Sequence, residues 1–446
     1  MNQENKEVRS IHYLGSKLRM LEAIENALND VIEKPGAICD LFSGSGTVTK
    51  YLLHNFDVIS VDIQEYSKVL CEASTTCLKF DTAPNLIVQA IKEQQVTQNL
   101  NNIFSQLISY ENECSLRADK GELKNLYEII EFGSLYILEH ENVSGISQKF
   151  KNILKNTIIG IKGDTVLSLE DSMISRYYGG LYFSYKQAVD MDCIAHWVFE
   201  QEGVLKTKAL AALLSTASDL VNTVGKQFAQ PLKIRNSKGE LKQSLLTKIQ
   251  KDRKEDAYVA YEKWLKYYLS IGEMDHRHTA LCDDYVSALS NLKSAPLAAI
   301  YADPPYTRYH YSRYYHVLET ICLRDNPKVS TTFPNGKGGI SRAIYRVGRH
   351  QSPFCVKSEA EKAFDLLFQK ASELDVPLVL SYSPFDPSKA VTPRLQTIDQ
   401  LVEKAKQYYS SVTIVSPGEF THSKLNSSDK NFESNHEAEL LIVCKN

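Results

Sequence analysis

What this chain does not have narrows its function before any motif is considered. Its nine cysteines (Cys39, Cys71, Cys77, Cys114, Cys193, Cys282, Cys322, Cys355 and Cys444) are scattered, odd in number and nowhere spaced as C-x-x-C. That pattern argues for a reducing compartment and against structural zinc. No apolar run approaches the length of a membrane span, and the polar opening MNQENKEVRS has no apolar segment behind it, so a cytoplasmic, soluble protein is expected. An excess of positive charge is missing as well. With Lys+Arg at 51 against Asp+Glu at 54, the net charge of −3 excludes a general polycation, and any nucleic-acid surface has to be a local patch. The 446 residues suffice for a large core and for two domains.

What is present begins with Ile11-His12-Tyr13-Leu14-Gly15-Ser16-Lys17, followed by Leu18, Leu21, Ile24, Leu28, Val31 and Ile32 at the spacing of an amphipathic helix. Ser16 is a candidate cap, and Pro35-Gly36 is a stop. Ala37–Leu41 reads as a buried strand running into Phe42-Ser43-Gly44-Ser45-Gly46-Thr47, after which Val48, Tyr51 and Leu52 start a helix. Strand, glycine turn and helix together bring a nucleotide-like ligand close to the backbone. The spacing is not the dinucleotide fingerprint, and no Walker lysine follows. A second strand, Asp57–Ile63, ends in Val61-Asp62-Ile63; an acid there is placed to accept hydrogen bonds from ribose hydroxyls, the alternative being a solvated loop acid.

Between about Glu72 and Met274 strand alternation is scarce, and Leu123–His140, Tyr185–Glu202, Lys206–Val224 and Leu241–Leu269 carry helical spacing. The most basic part is Lys226, Lys233, Arg235, Lys238, Lys242, Lys248, Lys251, Arg253 and Lys254, which reads either as a solvated face or as a phosphate-binding surface. The aromatic and glycine-rich run Gly179–Tyr185 is explained equally well by core packing. The α/β pattern resumes at His278–Asp283 and continues through strands at Leu297–Tyr301, Val376–Ser381, Ser411–Ser416 and Glu437–Cys444; the polar stretch His422–Asn435 reads as a loop.

The run Tyr301-Ala302-Asp303-Pro304-Pro305-Tyr306 sits where a buried strand meets its loop, the end at which open α/β sheets carry their catalytic groups. Two prolines fix φ and restrict the residue before each of them, so the corner is stiff. A carboxylate, a backbone carbonyl and an aromatic ring are thereby held together. Tyr306 can stack on a flat ring while Asp303 and the Pro304 carbonyl accept from its amino group, which is how a base taken out of a duplex is gripped. The bland alternative is a rigid turn with a solvated acid. Behind it come Thr307-Arg308-Tyr309-His310-Tyr311-Ser312-Arg313, where aromatics interleaved with arginines suit base stacking and phosphate neutralisation. His316 and Glu319, one turn apart, read as a structural pair, and a second basic loop holds Lys337, Arg342, Arg346, Arg349 and His350.

Taken with DLFSGSG at residues 40–46, DPPY at 303–306 resembles motif IV of the amino-methylating DNA methyltransferases, and its aspartate form resembles the adenine-specific group. That resemblance implies an α/β, Rossmann-like seven-stranded S-adenosylmethionine-dependent core with a largely helical inserted domain. It divides the chain into residues 1–75 and 275–446 as the two parts of the core, and residues 76–274 as the expected target-recognition domain. The order of motifs is similar to the α group of these enzymes. Tyr-x-Gly-Ser-Lys resembles motif X, which makes Tyr13 and Lys17 cofactor residues beside Asp40, Phe42, Gly44, Gly46 and Asp62, with Asp284 reading the cofactor adenine. Asp303, Pro304 and Tyr306 become catalytic. Tyr306, Arg308, Tyr309, Tyr311 and Tyr382 become substrate-binding, Tyr382 because Ser381-Tyr382-Ser383 is similar to a Ser-Tyr-Asn element, with serine where that element has asparagine. The implied partners are S-adenosylmethionine, double-stranded DNA and, in a restriction-modification or defence setting, a cognate endonuclease; no metal is implied. Methylation of adenine in RNA, or cofactor and DNA binding without turnover, are the competing readings.

Overall fold

The computed structural model describes residues 9–15, 17–308, 310–331, 338–383, 395–416 and 439–446. Ser16, Tyr309, Lys337 and the stretch 422–435 lie outside the described residues. The chain divides into two compact units, one formed by residues 1–77, 271–312 and 350–446, the other by residues 78–270 and 313–349.

Among its described residues the first unit is built on seven strands: β1 (Ala37–Leu41), β2 (Val58–Asp62), β3 (His278–Cys282), β4 (Leu297–Ala302), β5 (Leu378–Tyr382), β6 (Ser411–Val415) and β7 (Leu440–Lys445). They form one sheet in the order β3-β2-β1-β4-β5-β7-β6. β1 through β5 run parallel, while β7 is antiparallel to both β5 and β6. β4 and β5 are buried at every position, which is why they read as continuous apolar runs and not as alternating ones. β6 at the edge is largely exposed.

Helices cover both faces. Leu21–Asn29 and Thr47–Leu52 pack Ile24, Leu28 and Leu52 against Ile38 and Ala299, and Tyr285–Asn291, Ala360–Ser372 and Ile398–Ala405 pack Leu289, Phe364, Leu367 and Leu401 against Leu41 and Ile300. The first helix starts at Leu21, later than its apolar spacing predicts, because the chain turns at Lys17, whose carbonyl accepts from the Met20 N–H at 2.8 Å. The direction of strand succession reverses between β1 and β4. Such a switch point opens a crevice at the carboxyl ends of the strands.

The second unit contains helices and, among its described residues, only isolated strand bridges. Its longest helix, Gln95–Ala118, buries Leu100, Phe104 and Leu107 at i, i+4 and i+7. Gly133 interrupts the expected helix over 123–140 and splits it into Leu123–Phe132 and Leu135–His140. The run Gly179–Tyr185 proves to be core: Leu181, Tyr182, Phe183 and Tyr185 are fully buried, and Tyr185 donates to the Gly133 carbonyl at 2.7 Å. A Cβ on Gly180 would come within 2.9 Å of Gly133 Cα, so close backbone approach explains the glycines there.

Candidate active site

A cavity lies at the carboxyl ends of β1, β2, β3 and β4, within the first unit. Its walls include Tyr13, Lys17, Asp40, Phe42, Asp62, Asp283, Asp284, Asp303, Pro304, Tyr306 and Tyr311. Residues 13–66 and 283–354, far apart in the chain, therefore contribute to one crevice.

The glycine turn is shaped by backbone conformation. Phe42 has φ 69°, left-handed for a residue with a side chain, at a cost of about 1 kcal/mol. What offsets it is that the Phe42 and Ser43 N–H groups both donate to the Val61 carbonyl, at 2.9 and 3.0 Å, while the Phe42 ring packs against Tyr285 and Phe354. Gly44 and Gly46 follow at φ 55° and 76°. A Cβ on Gly44 would stand 2.6 Å from Tyr13 Oη, so glycine is required for the turn to pass that ring. These two glycines shape the turn without lining the cavity; Phe42, Ser43 and Ser45 line it.

The Asp62 carboxylate ties the turn to the end of β2: Oδ2 accepts from Gly44 N at 3.0 Å and Oδ1 from Gln64 N at 2.9 Å. Burial pushes its pKa up against the pull of those hydrogen bonds. Asp40 is buried deeper, accepts from Thr49 Oγ1, and is pushed up to about 7 by that burial. After β3, Asp284 caps the helix Tyr285–Asn291 by accepting from Val286 N at 2.9 Å, and Asp283 accepts from Asp284 N at 2.8 Å; both acids line the cavity.

At the opposite wall, Asp303 is held by its own N–H, which donates to the Leu41 carbonyl at 3.2 Å, and its side chain is 22% exposed. Lys17 Nζ lies 2.8 Å from Asp303 Oδ2 and 2.6 Å from Glu439 Oε1, with the lysine side chain only 5% exposed. Burial opposes the lysine charge, but Asp303 and Glu439 outweigh it and hold the ammonium well above its ordinary pKa. Burial raises the Asp303 pKa; Lys17 pulls it down and Glu439 pushes it up.

Tyr306 donates to Glu439 Oε1 at 3.2 Å, and its ring meets Tyr382 at 4.9 Å. Tyr382 is buried in the core, donates to the Gln396 carbonyl at 2.8 Å, and backs Tyr306 without lining the cavity. Tyr311 lines the cavity beside Tyr13, with ring centroids 5.6 Å apart. Arg308 is exposed on the surface and is not part of the cavity wall.

Glu439, which sequence reasoning passed over, and Ser381, to which it gave no role of its own, complete the arrangement. Glu439 is 3% exposed immediately before β7, and Ser381 Oγ donates to it at 3.0 Å. An acid abutting the wholly apolar run Leu440-Leu441-Ile442-Val443 was the available signal, since a charge at the buried end of a strand requires partners.

In the helical unit the basic runs separate into two kinds. Lys226 and Lys248 pair with Asp252, Arg235 with Glu131 and Arg253 with Glu111, so four members of the first run are tied to acids of the same unit, Arg253 in a buried pair and Arg235 in an exposed one. In the second, Arg346 pairs with Asp325 and Arg342 donates to the Ile130 carbonyl at 3.0 Å. Arg313 and Arg349 instead lie over the Tyr345 ring, at 5.3 and 4.7 Å. Arg349 Nε and Nη1 are buried with no hydrogen-bond partner among the described residues. His316 is buried, bonded to the Phe228 carbonyl at 3.1 Å and pushed down to about 3 by burial, which makes it a neutral core histidine.

Comparison with known proteins gives a family match. The model of the D12 class N6 adenine-specific DNA methyltransferases matches residues 13–156, a span that includes Lys17, the glycine turn and Asp62 and stops short of Asp303. Modification methylase LlaI of Lactococcus lactis subsp. lactis is 24% identical over 443 residues, covering 98% of this chain and 55% of that protein. The type II methyltransferase M.FokI of Planomicrobium okeanokoites is 22% identical over 381 residues, covering 84% of this chain and 44% of that protein. The chain thus spans about half the length of the curated relatives it matches.

Proposed function

Starting from a chain that carries the D12 class N6 adenine-specific DNA methyltransferase signature, we propose that it transfers a methyl group from S-adenosylmethionine to the exocyclic amino group of adenine in double-stranded DNA. The observation that carries the reading is that Asp303, Pro304 and Tyr306 share one cavity with the Phe42–Gly46 turn, so a donor on the turn and an acceptor base at the proline corner would be neighbours.

The cavity residues fit the cofactor. Five aspartates (Asp40, Asp62, Asp283, Asp284 and Asp303) line it against one lysine, an excess of negative charge suited to a ligand that carries an ammonium and a sulfonium. Phe42 and Phe354 supply flat apolar walls for an adenine ring, and Asp62 and Asp284 each keep acceptor capacity for ribose hydroxyls and for an adenine amino group. When bound, the cofactor supplies an electrophilic methyl on sulfur.

The chain's own residues then do the following. Tyr306 stacks on the extruded base and helps offset the cost of unstacking it from the duplex. The adenine amino lone pair is delocalised into its ring; Asp303 and the Pro304 carbonyl, accepting its two hydrogens, favour the tetrahedral geometry in which the nitrogen can attack. The same acceptors stabilise positive charge as it develops on that nitrogen. Holding both reactants aligned accounts for much of the rate. Arg313 and Arg349, two guanidiniums on one ring with no carboxylate paired to either among the described residues, suit a backbone phosphate, and the helical unit is the candidate reader of the target sequence. One relative is named a modification methylase and the other a type II methyltransferase, which supports a role in the cytoplasm beside a cognate restriction endonuclease.

The test is transfer of labelled methyl from S-adenosylmethionine to mixed-sequence duplex DNA, to RNA of matched composition, and to DNA by Asp303→Ala. Label in DNA adenine, reduced about 100-fold or more in the variant, is expected. Incorporation into RNA alone, or into neither polymer, refutes the proposal.

A further inference from the structure

Glu439 has more partners than a strand-end acid needs. Lys17 Nζ approaches its Oε1 at 2.6 Å, Ser381 Oγ at 3.0 Å and Tyr306 Oη at 3.2 Å. The same ammonium touches Asp303 at 2.8 Å. One buried cation therefore lies between the carboxylate of the proline corner and a second carboxylate, and that second carboxylate also receives the hydroxyl of Tyr306. The groups facing Asp303 are Lys17, Glu439 before β7, Asp40 on β1, Tyr301 on β4, and Tyr306 and Tyr311 behind the corner.

Resting on the methyl-transfer reading above, we propose that Glu439 is a positioning residue: through Lys17 and Tyr306 it orients Asp303 and the stacking ring, and it sets the pH below which Asp303 stops accepting from the adenine amino group. The charge count gives the reason. Asp303, Lys17 and Glu439 together carry one net negative charge, left over beside the nitrogen on which positive charge develops. Without Glu439 the cluster is neutral, the lysine belongs to Asp303 alone, and Tyr306 loses the carboxylate that accepts from its hydroxyl. Glutamine at this position keeps the shape and an acceptor oxygen for Ser381 and Tyr306 while removing only the charge. A merely structural Glu439 would lower activity in that variant without moving the titration of Asp303.

The experiment labels aspartate side-chain carboxyls with 13C in the full chain, assigns Asp303 by Asp303→Asn, and follows its titration by NMR in wild type and Glu439→Gln. Methyl transfer to duplex DNA is measured in parallel from pH 5 to pH 8. Loss of the neighbouring like charge is expected to move the Asp303 midpoint down by about one pH unit and the acid limb of kcat with it, while the plateau of kcat falls about tenfold with KM for DNA little changed. A midpoint that stays or rises overturns the proposal. Should the variant not fold, glutamate labelling of the wild type decides: the Glu439 and Asp303 signals must each record the other's titration step, and independent titration overturns it. Absence of methyl transfer by the wild type would defeat the function proposed above, whereas the carboxyl titrations judge the coupling on their own.

Discussion

Lys17→Met keeps the length of the side chain and removes its charge, which makes it a sharp probe of the buried cluster. The ammonium lies 2.8 Å from Asp303 and 2.6 Å from Glu439. At such separations and an effective dielectric near 20, each contact is worth on the order of 6 kcal/mol before desolvation. Burying three charges takes most of that back, and removing one member of a buried ionic group typically costs about 3–5 kcal/mol. With the lysine gone, two buried carboxylates face each other, and one of them escapes by taking a proton. Burial already holds the Asp303 pKa up, with Lys17 restraining it; the variant lifts it further. A carboxyl whose folded pKa exceeds its unfolded value of about 4 holds its proton more tightly in the native state, so its contribution is favourable at low pH and is lost as pH rises through the folded pKa. Lys17 itself is charged throughout that range and adds no slope. The deficit of the variant relative to wild type is therefore expected to be greatest at pH 8 and to shrink toward pH 5, by about 1.4 kcal/mol for each pH unit over which only the variant carries the extra proton. Hydrogen exchange of amides in β1 and β4 is the assay, because both tryptophans, Trp197 and Trp264, lie in the helical unit and their fluorescence reports that unit. A deficit that is the same at pH 5 and pH 8, or one below about 1 kcal/mol at pH 8, refutes the reasoning.

Three further predictions follow from single sites. Gly44→Ala adds left-handed strain of about 1 kcal/mol and a Cβ 2.6 Å from Tyr13 Oη. Calorimetry should show affinity for S-adenosylmethionine reduced about tenfold or more, with Gly163→Ala, whose Cβ would meet nothing within 4 Å, as the neutral control. His316 is pushed down to about 3 by burial, so the native helical unit binds fewer protons than the unfolded chain below pH 6.5 and loses about 1.4 kcal/mol per pH unit on acidification. His316→Gln should flatten that slope in urea titrations read by tryptophan fluorescence, whatever it costs at pH 7. Arg349→Ala should weaken DNA binding about equally for all sequences and reduce the dependence of log K on log salt by about one; a change confined to one sequence would count against a phosphate contact.

Much of the fold was legible because the signals were local. β1 and β4 declare themselves as apolar runs ending in a glycine turn and a proline corner, and seven such segments are the seven strands of the sheet. The order of those strands was not legible, because which ends lie side by side depends on how helices cover the faces. Nor was the fate of the basic runs: Arg253 and Arg349 look alike in sequence, yet one is locked to Glu111 and the other lies over Tyr345. Tyr382 was expected at the base pocket from its motif, and the structure puts it one layer back, behind Tyr306.

The amino-acid order alone, then, settled the chemistry that adjacent residues can set up between themselves: a carboxylate beside a stiff carbonyl and a ring, and a turn that only glycine permits at Gly44. Tertiary structure alone decided which distant charges share a buried space. Glu439 reaches Tyr306 across 133 residues of chain because β7 enters the sheet antiparallel between β5 and β6, and that brings its first end level with the carboxyl ends of the parallel strands. A buried charge is tolerable only where its partners are already in place, and no property of Glu439's own neighbours in sequence specifies where those partners will be.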